Sequence, residues 1–249
     1  MKTVIKYNKK NYSIDLSKPL DISIPVTGGG ANVNSWYLPP PTIQPHSEGE
    51  FVGKVSKGGS TNFNDIFFNP HSHGTHTECI GHITEEFHSV NHILSKFFFM
   101  AEVITVAPEK IGDDFVISKK QLQYALGNKK REAVIIRTIP NLVDKKSRQY
   151  SHTNPPYLLR EAAELLAVRG VEHLLVDLPS VDKEKDDGAL LAHKAFWDFE
   201  GNRRVNATIT ELAYVPNAIL DGKYFLNLQL AAFENDASPS RPVLYKIEE

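Results

Sequence analysis

A mixed α/β fold is predicted for this chain of 249 residues, on three observations. Short β-branched or aromatic runs bounded by turn residues recur from one end to the other. Amphipathic segments framed by cap residues lie between them. No Gly/Ser linker or shift of composition divides the chain, so one domain spanning 1–249 is expected. The strands fall, in order, at 12–16, 100–106, 133–138, 173–178, 207–213, 224–230 and 243–247. Helices are expected at 118–126, with Ser118 as cap, at 154–169, and at 188–197. The second of these has Pro155 and Pro156 at its entrance and Gly170 past its exit, with Leu158, Ala162, Leu165, Leu166 and Val168 inward and Arg160, Glu161 and Glu164 outward. Residues 28–61 are rich in Gly, Pro, Ser and Asn and lack a clean period. A loop of that length carrying Trp36, Tyr37 and Phe51 is expected to form part of a pocket wall.

Composition excludes several function classes. The chain is 41% hydrophobic and 23% charged, ordinary values for a globular protein with material for a core. Lys+Arg number 28 against 30 Asp+Glu, and no basic stripe or aromatic-basic motif appears, so no nucleic-acid partner is expected. A single cysteine allows no internal disulfide framework. Residues 1–10 lack the apolar core of a signal peptide, and no apolar run approaches membrane length, so no membrane association and a cytoplasmic location are expected.

Chemistry is concentrated in His71-Ser72-His73-Gly74-Thr75-His76-Thr77-Glu78-Cys79-Ile80-Gly81-His82-Ile83-Thr84-Glu85-Glu86-Phe87-His88, which holds five of the ten histidines. Imidazole and carboxylate both bind borderline divalent metals and move protons near neutral pH. Gly74, Thr75, Thr77 and Gly81 disfavour a helix here, and the helical zinc motif H-E-x-x-H is absent. In an extended backbone Ser72, His76, Glu78 and His82 share a face while His71 and His73 point away. A surface loop with scattered histidines is the plain alternative. Cys79, of the wrong parity to join His76 and Glu78, reads as a small buried apolar group.

These residues resemble the cyclase-like metal-dependent hydrolases, a family that includes bacterial-type kynurenine formamidase (arylformamidase) and isatin hydrolase. Its pattern, H-x-G-T-H-x-D-x-P-x-H, is matched outright at Gly74, Thr75, His76 and His82. Glu78 replaces the aspartate, Ile80 the proline, and Ser72 the first ligand histidine. Asp15-Leu16-Ser17, the strand at 134–138 ending in Arg137-Thr138, and Asp177-Leu178-Pro179-Ser180-Val181-Asp182 resemble further family segments in the same order. His193 and Glu211 stand where the family has a later histidine and a glutamate before a leucine.

On residue pattern alone, His193 lies one turn from Ala189, Leu190, Phe196 and Trp197, and Glu211 shares parity with Ala207, Ile209 and Ala213. Such an inward pair can satisfy each other structurally, and an unpaired carboxylate there would cost several kcal/mol. The resemblance instead implies metal ligands: His76, Glu78, His193 and Glu211, with Ser72 at most a weak extra donor because a neutral hydroxyl ligates poorly. It also implies a single-domain swivelling β/β/α fold with β-structure around the site and outer helices, one or two divalent ions (zinc or manganese, with iron(II) also compatible), and a homo-oligomer of two or more chains. The implied activity is hydrolysis of a non-peptide amide or cyclic amide of a small-molecule substrate by metal-activated water, with His82 as general base and then acid. Trp36, Tyr37, Phe67 and Phe68 are candidates to sandwich a planar substrate, with core packing an equal reading for the last two. Two alternatives remain open: a catalytically altered small-molecule binding protein, and a metal-dependent cyclase or dehydratase.

Overall fold

The computed structural model describes residues 1–248. Its organising element is an eleven-stranded sheet. In chain order its strands are β1 (Lys2–Tyr7), β2 (Lys10–Asp15), β3 (Leu20–Asp21), β4 (His76–Cys79), β5 (Phe98–Val106), β6 (Ala133–Thr138), β7 (His173–Val176), β8 (Thr208–Glu211), β9 (Gly222–Asn227), β10 (Ala237–Pro239) and β11 (Val243–Glu248). They lie in the order β1-β2-β11-β9-β5-β6-β7-β8-β4-β10, with β3 paired to β11.

The four strands β5, β6, β7 and β8 run parallel, and antiparallel wings flank them on both sides. The reason lies in composition. Parallel strands are covered on both faces and read as unbroken apolar runs, as Ala133-Val134-Ile135-Ile136 and His173-Leu174-Leu175-Val176 do, every residue being buried. Alternation then assigns each side chain to a layer. Val134, Ile136, Leu174, Val176 and Ile209 pack with α1 (Lys119–Leu126), α2 (Arg160–Val168) and α3 (Leu191–Phe196) through Leu122, Ala162, Leu166, Ala192 and Phe196. Ala133, Ile135 and Leu175 face the opposite layer, formed with Ile22, Val215, Leu226 and Leu244. The mixed α/β architecture with outer helices is therefore as expected.

Differences at element ends have local causes. Helix α2 begins at Arg160 rather than 154, because the prolines keep the chain extended and Tyr157–Leu158 pairs in parallel with Val116–Ile117. Helix α3 begins at Leu191, since Leu190 is left-handed with φ of 48°. The unpredicted β1 is an edge strand with mostly exposed side chains, so it carries no core signal. Within 28–61, Thr42–Pro45 pairs with Asn64–Phe67, and Ser47–Glu48 with Phe51–Val52, so that segment is partly hairpin rather than loop. Among the described residues no helix is long and apolar enough to cross a membrane.

Candidate metal centre

The site forms at the carboxyl end of β8, where the antiparallel neighbour β4 places His76 opposite Glu211. Open α/β sheets commonly carry ligands at the carboxyl ends of their parallel strands. Along β4, His76 and Glu78 project to one side, while Thr77 turns to the other and meets the Thr210 hydroxyl at 2.7 Å. The preceding Gly74-Thr75 fixes this start. A Cβ on Gly74 would sit 3.0 Å from both the Ile24 carbonyl and a Val26 methyl. The Thr75 hydroxyl donates to the Leu212 carbonyl at 2.5 Å and accepts from the Ile24 N–H at 2.7 Å. Gly81 is needed at the next bend, since a Cβ there would lie 2.5 Å from the His88 carbonyl oxygen.

Glu78 is fully buried and stands at the centre. Its Oε1 accepts from His193 Nε2 at 2.9 Å, and its Oε2 lies 3.1 Å from His71 Nδ1 and 3.9 Å from His82 Nδ1. Glu211 lies beyond: its Oε2 is 3.5 Å from His76 Nε2 and its Oε1 3.7 Å from His193 Nε2. His193 and Glu211 share an ion-pair contact but no hydrogen bond, and each is held by another partner. Glu211 Oε1 accepts from the Val181 N–H at 2.9 Å, whereas His193 Nδ1 donates to Asp182 Oδ2 at 2.6 Å. Asp182 also accepts from the Ala192 and His193 N–H groups at the start of α3, which holds the histidine in place.

Electrostatics matches this crowding of opposite charges. Burial alone would raise Glu78, but His82, His193 and His71 hold it well below the usual carboxylate range. Burial would lower His193, yet Asp182 and Glu78 push it well above an ordinary imidazole. His71 behaves alike: burial opposes its charge, but Asp236 and Glu78 raise it to about 10. Two buried atoms of this cluster, His76 Nε2 and Glu78 Oε2, nevertheless lack a hydrogen bond. Orphaned buried acceptors cost about 1–3 kcal/mol each, more when charged. Three overlapping donor groups lie within mutual reach: His71, His76 and Glu78; Glu78, His82 and His193; and His71, His82 and Asp236. Imidazole and carboxylate donors, with orphaned atoms between them, fit a divalent cation.

The "Putative cyclase" family model matches residues 14–183. This chain belongs to that family. The family's structural neighbours agree on the fold. A structure described as a "predicted metal-dependent hydrolase from Bacillus stearothermophilus" superposes with a TM-score of 0.64 at 16% identity, covering 92% of this chain and 98% of the other. One described as a "potential metal-dependent hydrolase with cyclase activity" reaches 0.68 at 16% identity, over 93% and 99% of the two chains. Isatin hydrolase A from Labrenzia aggregata, bound to benzyl benzoate, reaches 0.67 at 14% identity, over 93% and 94%. A comparison with curated proteins returns no match.

Of the residues expected at the site, His76, Glu78, His82, His193 and Glu211 converge. Ser72 does not. Residues Pro70–His73 form a helical turn instead of an extended run, so the shared parity fails and neighbours point in different directions. The Ser72 hydroxyl faces inward to Asn34 Oδ1 at 2.8 Å and the Ser35 carbonyl at 2.6 Å, and accepts from the Ser35 N–H at 3.1 Å. His71 takes the direction expected of Ser72. His73 is held between the Asn69 N–H and the Pro39 carbonyl. Asp236, which touches both His71 Nε2 (3.0 Å) and His82 Nδ1 (3.2 Å), carries no sequence motif and was not foreseen. Asp182 had a signal, being the last residue of the Asp177-to-Asp182 segment.

Beside this cluster a cavity of about 410 Å³ is lined by Trp36, Leu38, Asn69, His71, His82, Ser180, Leu190, His193 and Glu211, with Lys183, Glu184 and Asp186 at its polar side. From the 28–61 segment, Trp36 and Leu38 line it. Trp36 and Tyr37 are both left-handed, with φ of 58° and 60°, and the Tyr37 hydroxyl donates to Glu184 Oε1 at 2.7 Å. Leu190 and Leu212, at φ of 48° and 53°, add two further left-handed positions around the same site. Strained backbone of this kind clusters where geometry is over-determined for function. Phe67 is 65% exposed, so it does not pack in the core, and it is not among the residues lining this cavity. Phe68 meets Phe233 at a tilted 38°, ring centroids 6.2 Å apart.

Proposed function

We propose that the protein is a metal-dependent hydrolase that cleaves a non-peptide amide or cyclic amide C–N bond in a small-molecule substrate. The observation that carries this reading is a buried imidazole–carboxylate cluster opening on the cavity, in which His76 Nε2 and Glu78 Oε2 hold only ion-pair contacts, the nearest to Glu211 at 3.5 Å and His71 at 3.1 Å. His76, Glu78, His193 and Glu211 would hold the ion, and the donor set suits zinc or manganese. A divalent ion in such a site supplies Lewis acidity, polarising a carbonyl oxygen and acidifying water to a pKa of about 7. The names of the structural neighbours, metal-dependent hydrolase and isatin hydrolase, support the same class.

The chain's own residues do the rest. Trp36, Leu38 and Leu190 give the cavity an apolar wall, and its volume lies in the range of small-molecule sites. His82 lines that cavity with its Nδ1 turned to Asp236, which leaves Nε2 to take the proton of the attacking water. The same nitrogen then delivers that proton to the departing amine, so the products are a carboxylate and an amine. Asp182 fixes His193, and the Val181 N–H fixes Glu211, so the donors stay oriented before any ligand arrives.

The test is a screen of metal-loaded protein against formylanilides, isatin-like lactams and cyclic imides. Turnover of one of these classes is expected. Binding without turnover of all three at full metal occupancy would replace the hydrolase by a binding protein. In an active preparation, His82→Ala should lower kcat by about 10²- to 10⁴-fold, with metal content by elemental analysis unchanged.

A further inference from the structure

His71 lies outside the family motif, one position before the serine that replaces the motif's first histidine. Its setting is nevertheless that of a metal donor. Asn69 caps the turn, its side chain accepting from the His71 N–H at 2.9 Å, and Pro70 occupies the first helical position, so the backbone direction at 71 is set locally. The ring then bridges two carboxylates: Nε2 meets Asp236 Oδ2 at 3.0 Å, and Nδ1 lies 3.1 Å from Glu78 Oε2. His71 is thereby nearer to Glu78 Oε2 than His82, whose Nδ1 lies at 3.9 Å.

His193 shows the same arrangement from the other side of Glu78. One ring nitrogen is gripped by Asp182 at 2.6 Å and the other faces Glu78 Oε1 at 2.9 Å. A carboxylate on the far nitrogen is how metal-ligating histidines are oriented and made more basic. His71 Nδ1, His76 and Glu78 offer donor atoms that all lie within 4.8 Å of one another, and Ser72 is excluded by its own hydrogen bonds.

We propose that His71, through Nδ1, supplies the metal donor that the serine at position 72 cannot, and that Asp236 is its positioning residue. The role of the missing histidine thus passes to the preceding position, and an aspartate 165 residues downstream completes it. The proposal rests on the reading that this cluster holds a divalent ion.

The experiment measures binding of Co²⁺ and Zn²⁺ to the purified full chain by titration calorimetry and absorption. His71→Ala and His71→Gln should weaken binding more than the about 10- to 100-fold expected of Asp236→Asn, while Ser72→Ala leaves it unchanged. His71→Cys loaded with Co²⁺ should gain a thiolate-to-cobalt charge-transfer band absent from the parent protein and from Ser72→Cys. That band reads ligation at position 71 directly, whatever the stability of the other variants. Parent-like affinity in both His71→Ala and His71→Gln, with no band in His71→Cys, would overturn the proposal, and loss of binding in His76→Ala in the same series would leave the proposed function standing. Failure of the parent protein to bind either cation would remove both.

Discussion

At position 72 the hydroxyl has three polar neighbours in the protein interior and no solvent, so its role is to join the turn before β4 to the segment around Asn34. Removing it strands the Ser35 N–H and the Asn34 side-chain oxygen Oδ1. Ser72→Ala should therefore destabilise the fold by about 1–3 kcal/mol in urea denaturation, with metal content retained. His71, Ser72 and His73 show where residue-level reading stopped. Their types were visible, but which of three adjacent side chains enters the site depends on whether the backbone is extended or turned. Asn69-Pro70 settles that question in favour of a turn, a cap-and-proline signature present in the sequence and outweighed there by the parity of the later residues. For Asp236 there was nothing comparable: a lone aspartate acquires meaning only when β10 lies against β4.

Elements were more legible where burial is two-sided. The strand at 133–138 has the bounds expected of it, because an unbroken apolar run ending in Arg-Thr leaves one solution. Helix α1 was equally plain, and Ser118 and Gln121 form a reciprocal capping box at its start. Ser118→Ala should cost about 1 kcal/mol, read as a shift of the denaturation midpoint without a change of slope. At the first position of β7, His173 is buried against Phe99 and hydrogen-bonded to the Thr208 hydroxyl, and burial together with the charge of Arg204 lowers its pKa from 6.5 to about 4. The unfolded chain takes up this proton first on acidification. The contribution of His173 to stability is accordingly complete above pH 6.5 and is lost as the pH falls from 6.5 through about 4, by about 3 kcal/mol. Denaturation of His173→Gln across that window should show a shallower pH slope than the parent protein; an unchanged slope would place the sensitivity elsewhere.

The molecule as a whole gathers its site from four separate stretches: 71–82, 182–193, Glu211 and Asp236. An ion bound there is held only by the folded chain, so excess metal should raise the unfolding free energy, by about 2.7 kcal/mol at 100 times the Kd. Chelator should reverse the shift in Tm, and His76→Ala should abolish it. The parallel centre and its helices were foreseeable from period and caps, whereas the antiparallel pairing of β8 with β4 and of β4 with β10 joins segments more than a hundred residues apart and leaves no local trace.

That long-range pairing also constrains the order of events during synthesis. Asp236 is synthesised 165 residues after His71, at about 5–20 residues per second. A nascent chain therefore holds His71 without its aspartate for about 8–30 s, and a cation bound as proposed would meet the complete donor set only after that delay.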